Sequence, residues 1–91
     1  MANQAIASPE ELERFATELR QFNQQLRDST SRLQGGFRRV GDTWRDQEHQ
    51  KFAVEFEQTM RVLQRFVQSS EQQIPFLQRK ARILREYLNQ R

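Results

Sequence analysis

The sequence predicts an all-α fold, an antiparallel two-helix hairpin dimerising into a four-helix bundle. Three observations carry this expectation. Apolar residues recur every seven positions through two long segments, a short polar break containing Gly41 separates those segments, and 91 residues make one domain at most. A chain this short buries only roughly 60% of its unfolded surface, so it must pack efficiently or share a core with a partner.

The first helix is expected over residues 8–40. Ser8 can cap the free amides, Pro9 presets φ at the first helical position, and Glu11 completes a capping box. Leu12, Leu19, Leu26, Leu33 and Val40 then follow at seven-residue intervals, interleaved with Phe15, Phe22, Ser29 and Gly36. These two series are read together as one seam. Gly35 and Gly36 each weaken a helix by roughly 1 kcal/mol relative to Ala, so fraying or bending is expected there, although Phe37 and Val40 keep the phase.

The break is placed at residues 41–46. The second helix is expected over 46–90, on one series of Phe56, Leu63, Ser70, Leu77 and Leu84 and another of Met60, Val67, Ile74, Ala81 and Leu88. Phe52, Val62, Phe66, Phe76 and Ile83 adjoin this seam on one side, which gives the helix a wide apolar stripe and room for two packing partners. Pro75 falls inside the pattern. The heptad phase continues across it, so a kinked continuous helix is preferred to a third helix. At 1.5 Å per residue the two helices span roughly 50 and 67 Å. The end of the second helix beyond Pro75 is therefore expected to overhang the start of the first, leaving Leu77, Ala81, Leu84 and Leu88 for another chain to cover.

Composition excludes several functions. There is no cysteine and one histidine, His49, which rules out disulfides and leaves too few ligands for a closed zinc site. His49 is read as a solvated residue on the side of the second helix. No nucleophile, phosphate-binding loop or second histidine accompanies the carboxylates near the break, so no enzyme and no cofactor are expected. No stretch reads as a signal peptide or a membrane span, and the chain is expected to be made as a cytoplasmic protein.

Charge is uneven. Residues 79–91 hold five basic side chains, including Arg79, Lys80, Arg82 and Arg85, and one acidic one, whereas the remainder is nearly balanced. Such a cluster can solubilise a helix end and complement its dipole, bind an acidic partner, or touch nucleic acid or an anionic membrane. Five charges mixed with Leu84 and Leu88 make a short electrostatic footprint and disfavour nucleic acid.

Trp44 in the break, followed eight residues later by the aromatic Phe52 on the second helix, resembles the Trp-x-Gly (WXG) family of small leaderless helical hairpins. The resemblance spans nearly the whole chain in architecture. Trp44 takes the place of the family tryptophan and Asp46 that of its glycine, where Asp can cap the second helix. The family's export signal, Tyr-x-x-x-acidic, would begin at Tyr87 and end on Arg91. The resemblance implies pairing with a related hairpin, as homodimer or heterodimer, and export by type VII secretion without a cleaved signal peptide. A larger secreted protein or a secretion ATPase is the implied further partner. A resident cytosolic adaptor or chaperone for a larger protein is the competing reading. Candidate protein-binding residues are Trp44, Asp46, Phe52, Phe56, Leu63, Phe66, Leu77, Leu84 and Tyr87. Trp44 itself admits two roles, a lid packed over the end of the hairpin or a recognition residue.

Overall fold

The computed structural model describes residues 7–90, which form two helices, α1 (Pro9–Val40) and α2 (Gln47–Leu88). They pack side by side as a rod of 69 × 20 × 16 Å, a single layer with one seam. This is the helical hairpin that the heptads predict.

Both helices begin on a side-chain cap. The Ser8 hydroxyl accepts from the Glu11 amide at 3.3 Å, and the Asp46 carboxylate accepts from the His49 amide at 3.0 Å. Each satisfies an amide that has no carbonyl partner in the first turn. α1 runs unbroken through Gly35 and Gly36 and stops at Gly41, whose amide donates to Phe37 O at 3.1 Å. The chain then turns, and the Trp44 amide donates back to Val40 O at 2.9 Å. α2 is continuous through Pro75. The proline ring lies on an exposed face, where the Glu71 carbonyl that loses its amide partner can be hydrated.

With the seam of each helix labelled a and d, α1 presents Pro9, Ala16, Asn23, Thr30 and Phe37 at a and Leu12, Leu19 and Leu26 at d. α2 presents Met60, Val67, Ile74 and Ala81 at a and Phe56, Leu63, Ser70, Leu77 and Leu84 at d. Ala16 and Ala81 are the most completely buried apolar residues, at 1% and 0% exposed.

Two expectations are corrected here. The series Phe15, Phe22, Ser29 and Gly36 lies one residue off the seam, at position g, and Phe15 and Phe22 remain 53% and 50% exposed. Nor does α2 overhang α1 from Pro75 onwards. Ala81 and Leu84 are buried, and Arg85 reaches Glu13 and Glu10 in the opening turns of α1. The ten-residue difference between the 32-residue α1 and the 42-residue α2 is shared between the two ends, because the first turn of α2 runs beside the 41–46 connection.

Candidate protein-binding surface

The two long sides of the hairpin differ in chemistry. One side carries the e positions of both helices, where Arg27 pairs with Glu71 and the Arg85 guanidinium donates twice to the Glu13 carboxylate, at 3.0 and 2.9 Å. Glu10 also lies 3.6 Å from Arg85. Its carboxyl is held below its ordinary value, first by the free backbone amide at the helix start, then by the Ser8 hydroxyl, and least by Arg85. This side is closed on itself by charge.

The other side carries the g positions and is apolar. Phe15 and Phe22 of α1 lie on it with Phe52 and Phe66 of α2, and the Phe22 and Phe66 rings meet edge to face with centroids 5.7 Å apart. Val62, Phe76 and Ile83 extend it along α2, and all three are exposed. Towards the connection the side deepens into an open groove of about 990 Å³ between Leu33, Gly36 and Val40 of α1 and Phe52 and Phe56 of α2. Together these residues make a contiguous apolar stripe along one side of the rod.

At the connected end the rings form a cluster. Phe37 is its hub, with His49 stacked on it at 5.2 Å, Phe56 at 4.9 Å and Phe52 at 5.6 Å. Trp44 closes the cluster edge-on to His49 at 5.0 Å and against Phe52 at 5.9 Å. His49 is thus half-buried between Phe37 and Trp44, not the solvated residue its position suggested, and its Nε2 is buried without a hydrogen-bond partner. The reason is local: Asp46 caps α2 one turn earlier and points the His49 side chain back over the end of α1. Among the described residues no group of three His, Asp or Glu side chains could hold a metal ion.

The sequence-derived candidates separate into distinct places. Phe52, Phe66 and Tyr87 are exposed, Trp44, Phe56, Leu63 and Leu77 are half-buried, and Leu84 is buried in the seam against α1. Asp46 holds the N-terminus of α2 through its cap. Of the basic cluster, Arg85 is engaged with α1, while Arg79, Lys80 and Arg82 are exposed and form no ion pair among the described residues. Arg91 lies outside the described residues. Sequence reasoning missed Phe37 as the hub of the ring cluster. It also missed Asn23, a polar residue 2% exposed at the centre of the seam; the signal available was its place one heptad from Ala16.

The model of the WXG100 family, described as proteins of 100 residues with WXG, matches residues 4–87. The chain belongs to the WXG family. Its members are small helical proteins of the secreted type, and the helical hairpin of this chain is consistent with that family. Comparison with curated proteins and with solved structures found no match. The family glycine is replaced here by Asp46, at φ −96° and ψ −173°. That backbone is extended and makes no demand for glycine. Among the described residues no helix is long and apolar enough to cross a membrane.

Proposed function

We propose that the chain is a non-enzymatic binding module that pairs, apolar side to apolar side, with a second helical hairpin to form a four-helix bundle. The pair is a substrate of type VII secretion or accompanies one. The observation that carries this reading is the asymmetry of the rod: ion pairs occupy one side, while Phe15, Phe22, Phe66, Phe76 and Ile83 are left exposed on the other. Covering several exposed aromatic rings supplies the free energy that a 91-residue hairpin lacks by itself.

In the bundle Phe52, Phe66, Tyr87 and the half-buried Leu63 and Leu77 form the α2 contribution. Trp44 and the capped turn at Asp46 stand beside the open groove, where a larger secreted protein or a secretion ATPase would read the assembled end. The resident-adaptor reading is favoured by one observation, the arginine at position 91 where the family signal ends in an acidic residue. An export assay in the native host decides between them, since an adaptor stays with the cells when its cargo leaves.

The pairing itself is tested by light scattering on the full chain and on Phe22→Asp. The native chain, alone or with its partner, gives a mass above 11 kDa, and the variant does not. A native chain that stays monomeric and binds no helical partner overturns the reading.

A further inference from the structure

The ion pairs close the polar side of the rod to charged partners but not to neutral ones. Arg27 and Glu71 bridge the helices at mid-length, and the surface is hollow on either side of that pair. One hollow, of about 490 Å³, runs towards the connected end between Gln34 of α1 and Gln64 and Gln68 of α2. The other, of about 400 Å³, runs towards the open end between Arg20 and Gln24 of α1 and Gln78 of α2. Arg27 and Glu71 line both, so the two make one groove. From Arg20 to Gln34 it is roughly 21 Å long, at 1.5 Å per residue.

Its banks are rich in uncharged carboxamides with spare hydrogen-bonding capacity. Gln34, Gln64, Gln68 and Gln78 form no side-chain hydrogen bond among the described residues, and Gln24 forms only a long one to Asp28, at 3.4 Å. Arg27 and Glu71 cancel, which leaves Arg20 as the one net charge among the lining residues. The floor is apolar, with Leu26, Leu63, Val67 and Ile74, except at Asn23.

Asn23 supplies an independent observation. It lines the second hollow, is 2% exposed, and has an Oδ1 without a partner. On the α2 wall of the same hollow, Pro75 deprives the Glu71 carbonyl of its amide. Two acceptors in one place lack donors, and a buried acceptor left unpaired costs free energy.

We infer that this groove holds an extended polypeptide segment of another protein, read through its main chain. A carboxamide carries a donor, an acceptor and no charge, which makes it the hydrogen-bonding complement of a peptide group. An extended strand leaves main-chain N–H and C=O groups free, whereas a helix satisfies its own. Six extended residues span roughly 20 Å, the length of the groove. Alternate side chains then rest on the apolar floor, and main-chain N–H groups supply the donors that Asn23 and Glu71 lack. The groove lies on the side of the rod away from Phe15, Phe22 and Phe66, so it stays open when the hairpin is paired.

The probe is the peptide Ac-Ser-Val-Thr-Val-Thr-Ser-NH2, titrated into the full isotope-labelled chain and followed by NMR. The side-chain amides of Asn23, Gln64, Gln68 and Gln78 should shift saturably, while the main-chain amides of Phe22 and Phe66 stay in place. Added salt should leave the affinity unchanged, because the contacts join neutral groups. The same peptide with its main-chain nitrogens methylated keeps its side chains, loses its donors and should give no saturable shift. Gln64→Met with Gln78→Met keeps side-chain length and helix propensity, which circular dichroism checks. That variant should bind roughly tenfold more weakly, the effect of about two lost hydrogen bonds. Light scattering on the same samples reads pairing separately, so a failure here leaves the pairing reading standing. No saturable shift, shifts centred on Phe22 and Phe66, equal binding of the methylated peptide, or native affinity in the methionine variant each overturns the inference.

Discussion

The Asn23 amide donates to the Ser70 hydroxyl at 2.6 Å across the middle of the hairpin, and that hydroxyl donates in turn to Val67 O at 3.1 Å. Both residues are buried, and Asn23 Oδ1 has no partner. A polar pair in an otherwise apolar seam holds the register of two helices at a cost in stability, because sliding by a heptad would bury both groups unpaired. Ser70→Ala should therefore cost about 1–3 kcal/mol, since it strands the buried amide. Adding Asn23→Leu, which keeps the shape of the side chain, should recover that loss. Denaturant melts of the single and double variants check this, and a double variant no better than the single would show that the loss does not come from the stranded amide.

The start of α2 yields a second expectation. Asp46 caps the helix in an extended conformation that glycine also adopts at this position. Asp46→Gly, which restores the Trp-x-Gly motif, should cost only a few tenths of a kcal/mol, and Asp46→Ala about 1 kcal/mol. Thermal melts that rank glycine below alanine would contradict the capping role.

Trp44 is half-buried against His49 and Phe52, so its removal is milder than a full core truncation. Trp44→Ala should cost roughly half of the 3–5 kcal/mol typical of buried rings. An unchanged melting temperature with lost partner binding would make Trp44 a recognition residue instead of a lid.

At the open end the pH dependence has a definite sign. The Glu10 carboxyl is held below its ordinary value of 4.5 by the helix amide, the Ser8 hydroxyl and Arg85, in that order. Its charged form is favoured by folding, so its contribution is complete above about pH 4.5 and is lost as the pH falls through the lowered value. Glu10→Gln should flatten the acid side of the melting profile and leave the neutral region nearly unchanged. Carboxyl titration by NMR, with Glu10 titrating below its ordinary value, is the direct measurement.

Gly36 separates the stability of the hairpin from its association. Gly36→Leu replaces a helix-weakening residue at a half-buried position on the groove wall, where a Cβ meets only the flexible end of Arg39, and should stabilise the isolated hairpin by up to about 1 kcal/mol. The same side chain fills part of the groove beside Phe52 and Phe56 and should weaken pairing by roughly tenfold or more. Melting in dilute solution and sedimentation at higher concentration read the two effects separately. A stabilised chain that still associates at native strength would remove Gly36 from the interface.

Heptads, caps and a single polar break are local quantities, and they determined the two helices and the hairpin without reference to any tertiary contact. The family resemblance, carried by Trp44 and Phe52, was legible for the same reason. Which face of α1 meets α2 was not. Leu12, Leu19 and Leu26 serve two overlapping seams, one completed by Ala16, Asn23 and Phe37 and the other by Phe15, Phe22 and Gly36, and hydrophobicity alone favours the second. Tertiary packing chose the first, because alanines at 16 and 81 let the helices close tightly and Ser70 gives Asn23 a partner that no pattern along one helix contains. Rotation of a helix about its own axis is a property of the pair. The seam left over became the exposed side of the rod, where phenylalanines that read as core stand ready for another chain.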